Sequence, residues 1–177
     1  MRKINSILTI LILLLFADHA IFGTLNTLGK AKVLLPIARI LSIVVILHAI
    51  ISIILTIRAA KVSIRTKAPY NKENQEYWMR RWTGLAILFF FIGHLAIVKK
   101  QKGQAFKIAT AKPIGKISFI LFVASIAAHL VINIKPLLIS LGVKNHKTIN
   151  TILNILYAAI CAGAVFACVL SFIGGGK

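Results

Sequence analysis

RRWTGLAILFFFIGHL, residues 80–95, joins a basic doublet to an aromatic-rich apolar run that carries no charged residue and has a histidine near its far end. A run of this kind reads as a helix in lipid, where backbone N–H and C=O groups must satisfy each other within the segment. His94 is then an ionisable side chain inside a bilayer. Such residues are costly, usually face the interior of a bundle, and mark function by default.

Outward from this stretch the chain stays apolar. Of its 177 residues 59% are hydrophobic, and the mean hydropathy of +0.90 lies far outside the range of soluble globular domains. The reading is an integral membrane protein of all-α class. A span needs about 20 mostly apolar residues, and five segments qualify: 4–28, 34–57, 82–98, 117–143 with its most apolar part ending at Ile134, and 149–173. These runs are too long for barrel strands, so the expected architecture is a five-helix transmembrane bundle forming one domain over residues 1–177. The connections are short. The longest, Arg58 to Arg81, holds the turn signal Ala68-Pro69-Tyr70-Asn71. That leaves no room for a nucleotide-binding or iron-sulfur domain, so chemistry on a soluble substrate would belong to a partner subunit. No internal repeat is visible, and low complexity is confined to Gly174-Gly175-Gly176.

The N-terminal MRKINSILTILILLLFA has the basic start and apolar core of a signal peptide. A retained first span is preferred, because apolar character continues through Ile21 and Phe22 to Leu28. Cys161 and Cys168 lie seven apart on one face of the last run and read as small buried hydrophobes.

The formal net charge is +19, from 22 Lys+Arg against Asp18, Glu73 and Glu76. The bases sit between apolar runs, where anionic lipid and the positive-inside bias account for them, so nucleic acid is not an expected partner. The N-terminus with the second and fourth loops carries 12 Lys+Arg, and the opposite set carries 10. This bias favours a cytoplasmic N-terminus.

His19, His48, His94 and His129 fall one each in the first four spans, whereas His146 sits in the loop Lys144-Asn145-His146-Lys147 and reads as solvated. At helical spacing His48 lines up with Ser52 and Thr56, His129 with Ser125 and Asn133, and His19 with Gly23 and Asn26. Small or polar stripes of this kind suit an inward face. Counted from the basic residues at the N-terminal side of the membrane, His19 lies 16 residues from Lys3, His94 13 from Arg81, His48 10 from Arg58 and His129 6 from Lys135. Two levels follow, roughly 10 Å apart at 1.5 Å per residue. The pairs are His48 with His129 and His19 with His94.

Two imidazoles do not complete a zinc or di-iron site, and no paired carboxylates or cysteines accompany them. Haem brings four equatorial nitrogens and asks for one or two axial ligands, so two bis-histidine b haems fit the pattern, and full axial ligation suits electron transfer. The competing reading is four histidines in interhelical hydrogen bonds within a cofactor-free transporter or scaffold.

Three motifs carry a family resemblance. They are Arg81-Trp82-Thr83-Gly84 followed by Gly93-His94-Leu95, then Leu47-His48-Ala49-Ile50, then His129-Leu130-Val131-Ile132-Asn133 with Leu141-Gly142. Together they resemble the five-helix, di-haem cytochrome b membrane anchor of succinate dehydrogenase and fumarate reductase, the succinate:quinone oxidoreductases. Two departures stand out: Ile134 replaces a frequent glycine, and the first-helix match is little more than His19. The resemblance implies the same histidine pairing, with His48 and His129 on the haem proximal to the cytoplasm. It also implies a flavoprotein subunit with FAD and an iron-sulfur subunit on the cytoplasmic face, and a membrane quinone, menaquinone being the expected type. The location implied is the cytoplasmic membrane of a prokaryote. The haem b anchor of a membrane hydrogenase or formate dehydrogenase is the nearest alternative.

Three further side chains have expected roles. Arg80 shares the face of His94 and Arg81 lies in the family-like motif, so either could meet a haem propionate or snorkel to the interface. Asp18 is the only carboxylate inside an apolar run and adjoins His19, as a proton donor to quinone or as a structural partner of a lysine. The basic loop Arg58 to Arg81 is a candidate docking surface for the iron-sulfur subunit or for anionic lipid. The fifth span, with Asn150, Asn154 and Tyr157 followed by Ala158, Ala159, Ala162, Gly163 and Ala164, reads as a packing helix.

Overall fold

The structure is a computed structural model that describes residues 2–28, 30, 35–66, 75–101, 104–108, 113–142 and 146–173. Five helices occupy the five expected places: α1 Arg2–Thr27, α2 Leu35–Thr66, α3 Gln75–Ile97, α4 Pro113–Ser140 and α5 His146–Ile173. Between α3 and α4 the segments β1, Val98–Gln101, and β2, Gln104–Ile108, pair as a two-stranded sheet. The sequence reading places only a loop there. The turn signal at residues 68–71, the glycine tail at 174–176 and most of the His146 loop lie outside the described residues.

The helices outrun the apolar spans because polarity does not end a helix. α2 continues nine residues past Ile57, through Arg58, Ala59, Ala60, Lys61 and Arg65, all good helix formers. α4 opens on Pro113, whose missing N–H costs nothing at a first helical position. It closes with Gly142 at φ 89°, and the Gly142 N–H donates to the Ile139 carbonyl at 3.0 Å. Pro136 inside α4 forfeits the bond to the carbonyl four residues back. Hydroxyls within the apolar helices turn back on their own backbone: Thr9 to Asn5 at 2.9 Å, Ser42 to Ala38 at 2.9 Å, Thr56 to Ser52 at 2.7 Å and Ser125 to Leu121 at 2.7 Å. In lipid this internal satisfaction is what keeps a serine or threonine tolerable.

Apolar surface is left outward on a scale that water would not permit. Among the described residues only Leu41, Val44, Ile149 and Leu153 are buried hydrophobics, while Leu14, Phe89, Ile92 and Val165 are each more than 60% exposed. Four helical stretches, Ile4–Asn26, Leu35–Arg65, Ile114–Ser140 and Lys147–Leu170, are long and apolar enough to cross a membrane. α3 has 23 residues, but its charge-free part from Trp82 to Ile97 reaches only ~24 Å at 1.5 Å per residue.

The chain forms two compact units. The first holds α1 and α2, packed on each other; the second holds α3, α4 and α5, with α4 packed on α5. α5 packs on α4 through Ile149 and Leu153, both buried, and Ala164, whereas Ala158, Ala159, Ala162 and Gly163 are exposed. One expectation about this helix changes. Cys161 is also exposed and Cys168 only half-buried, so neither is a buried core thiol. Cys168 lines a shallow apolar groove with Ile120, Val123 and Ala124 of α4.

Candidate cofactor site

In the first unit, Ser52 Oγ donates to Asn5 Oδ1 at 3.3 Å. That contact joins the start of α1 to the far half of α2 and sets the register of an antiparallel pair. By it, His48 lies level with Thr9 and His19 level with Ala38. The two imidazoles therefore stand about ten residues, or ~15 Å, apart along the pair. The His48–Ser52 stripe does meet α1, as its composition suggested. The His19 stripe differs: a Cβ added at Gly23 would meet nothing within 4 Å, so that glycine makes no close helix approach within its unit.

In the second unit the register comes from two contacts. Thr83 Oγ1 lies 2.9 Å from His129 Nδ1, and a Cβ added at Gly93 would come within 2.8 Å of Ser118 Oγ. α3 and α4 are thus antiparallel, with His129 level with Thr83 and His94 level with Ser118. Eleven positions of helix between Thr83 and His94 are worth ~16 Å. Each unit therefore separates its two histidines by nearly the same height.

The histidines have distinct walls. His94 stacks on Phe122 with ring centroids 5.0 Å apart and lies 6.3 Å from Phe119. His129 lies against the α3 backbone, because a Cβ at Gly84 would stand 3.3 Å from its Cε1. The Asn133 side chain donates to the His129 carbonyl at 2.7 Å. The Nδ1 atoms of His19, His48 and His94 are all shielded from the surface.

At the start of α3 the two arginines part ways. Arg80 pairs with Glu76 at 3.6 Å, one turn back. Arg81 sits with its guanidinium carbon 4.8 Å over the Tyr77 ring. Its Nε is buried without a hydrogen-bond partner among the described residues, as are Tyr77 Oη and Trp78 Nε1. Three donors left over on two adjacent turns, one turn below the level of His129, fit an anionic group such as a haem propionate. Tyr77 and Trp78 escaped the sequence reading because they lie outside the apolar run; Thr83 was visible in its motif but had no role attached. Asp18 occupies α1 beside His19, at the upper level of the first unit.

What the fold and these side chains define is an all-α integral membrane protein with one histidine in each of its first four helices, the two in each unit staggered along the helix axis. No protein-family model matches the chain, and no curated protein or solved structure was matched either.

Proposed function

We propose that the chain is the membrane-anchor cytochrome b subunit of a succinate:quinone oxidoreductase, carrying electrons between a cytoplasmic flavoprotein and iron-sulfur pair and membrane quinone. The observation that carries the reading is the repeated stagger, two intramembrane histidines per unit separated by ~15 Å of helix. His48 and His129 are assigned as axial ligands of one b haem and His19 and His94 of the other. Bound b haem supplies a one-electron couple. The chain's own part would be to hold each haem between two imidazoles and to keep water away with apolar walls such as Phe119 and Phe122. Arg81, Tyr77 and Trp78 neutralise and hydrogen-bond a propionate at the lower level. Asp18 delivers a proton to quinone near the upper one. In this role the chain is a subunit of an enzyme rather than an enzyme alone.

A haem assay and a reduced-minus-oxidised spectrum on the purified chain decide the matter. Two b haems per polypeptide are expected. None, after expression with ample haem, leaves a cofactor-free transporter or scaffold; one would leave a single pair, with His19 the misassigned ligand.

A further inference from the structure

Thr83 sits in a helix interior, where a threonine usually does no more than bond its own backbone. Here its Oγ1 lies 2.8 Å from the Met79 carbonyl, 3.3 Å from the Arg80 carbonyl and 2.9 Å from His129 Nδ1. A hydroxyl has one proton, and a carbonyl oxygen can only accept. The Met79 carbonyl makes the shortest of the three contacts, the usual back-bond of a helical threonine; with the proton donated there, the third contact runs the other way, from His129 Nδ1–H to the Thr83 oxygen.

We propose that Thr83 is the positioning residue for His129, holding it as the Nδ1–H tautomer so that the lone pair is presented at Nε2. Its purpose rests on the haem reading, whereas its geometry does not. Two neighbours complete the clamp. Gly84 leaves room for the imidazole edge, since a Cβ there would press on Cε1 at 3.3 Å and Nδ1 at 3.7 Å. Asn133 holds the backbone at the same residue through the His129 carbonyl. An imidazole that donates through one nitrogen to a fixed oxygen is oriented and made a stronger electron donor at the other, which is how outer partners tune a metal ligand. Gly84 and Thr83 thus serve one contact, the first by its absent side chain and the second by its hydroxyl.

The test has two arms on the full chain in lipid. Histidine 15N NMR of the reduced wild-type protein, with His129 assigned by its loss in His129→Gln, should show Nδ1 protonated and Nε2 not. An Nε2–H or doubly protonated His129 overturns the proposal, whether or not haem is present. In the second arm, Thr83→Val keeps the shape and removes the acceptor, and Thr83→Ser restores it. Thr83→Val should raise the midpoint potential and alter the low-spin spectrum of one b haem alone, and Thr83→Ser should return both to wild-type values. Equal potentials and spectra in all three proteins overturn the positioning role. Haem absent from wild type with the Nδ1–H tautomer present would sink the haem reading and leave the clamp standing.

Discussion

Arg80 and Arg81 are adjacent in the chain and differ in what remains for a ligand. Arg80 spends its charge on Glu76, itself highly exposed, whereas Arg81 keeps Nε unsatisfied beside Tyr77 and Trp78. In the proposed di-haem role, redox titration of Arg81→Gln should show one haem with a lower midpoint potential, because a nearby cation favours the reduced, less positive site. Arg80→Gln should leave both potentials alone; the opposite pattern would reassign the propionate. For Asp18, in the same proposed role, replacement by Asn should slow quinone turnover several-fold without loss of haem. Unchanged quinone kinetics would return Asp18 to a structural role. The histidines were legible in the sequence because charge-capable residues stand out in apolar runs. Thr83 as a partner of His129 was not, since the contact joins positions 46 apart on two helices. Helical periodicity states which residues share a face but not how far that face is turned toward a neighbour. Arg80 and Arg81 stayed equivalent for the same reason until Glu76 and Tyr77 were seen to divide them.

At the level of the helices, α3 approaches α4 closely at Gly93, where a Cβ would meet Ser118 Oγ at 2.8 Å. Gly93→Ala should destabilise the second unit by roughly 1–3 kcal/mol, as overpacking does, read as a lower detergent melting temperature. Adding Ser118→Ala removes the clashing oxygen and should recover most of it; failure to recover would place the strain elsewhere. α2 is the other element with a consequence of its own. Its 32 residues measure ~48 Å against a hydrocarbon core of about 30 Å. The basic stripe Arg58, Lys61 and Arg65 is exposed, and Ile64 is 79% exposed. In a chain with Cys161 and Cys168 replaced by serine, a cysteine at Ile64 should react with a membrane-impermeant maleimide, and one at Ile54 should not. The existence of all five helices was readable from apolar run length. Their ends were not, because Arg58 to Thr66 is polar yet helix-forming, and the pairing of β1 with β2 has no alternation strong enough to announce it.

For the whole molecule, the count of membrane crossings turns on α3, the helix that is not among the four described stretches long and apolar enough to cross a membrane. If Arg80 and Arg81 snorkel and α3 crosses, there are five crossings and the two ends of the chain lie on opposite sides. Fusions at both ends settle it: alkaline phosphatase and a fluorescent protein should report opposite sides for the N- and C-termini. Both ends on one side would mean four crossings, and the depth comparison of His94 with His19 would no longer hold. The equal stagger within each unit carries a further consequence. If the proposed role holds, an electron moved over the height that separates the two histidines of a unit would travel ~15 Å along helices that traverse a core of about 30 Å. Roughly half of the transmembrane voltage is then felt by that single step, or about 1 kcal/mol per 100 mV. In the proposed role, a charged membrane would speed electron flow one way between the levels and hold it back in the other.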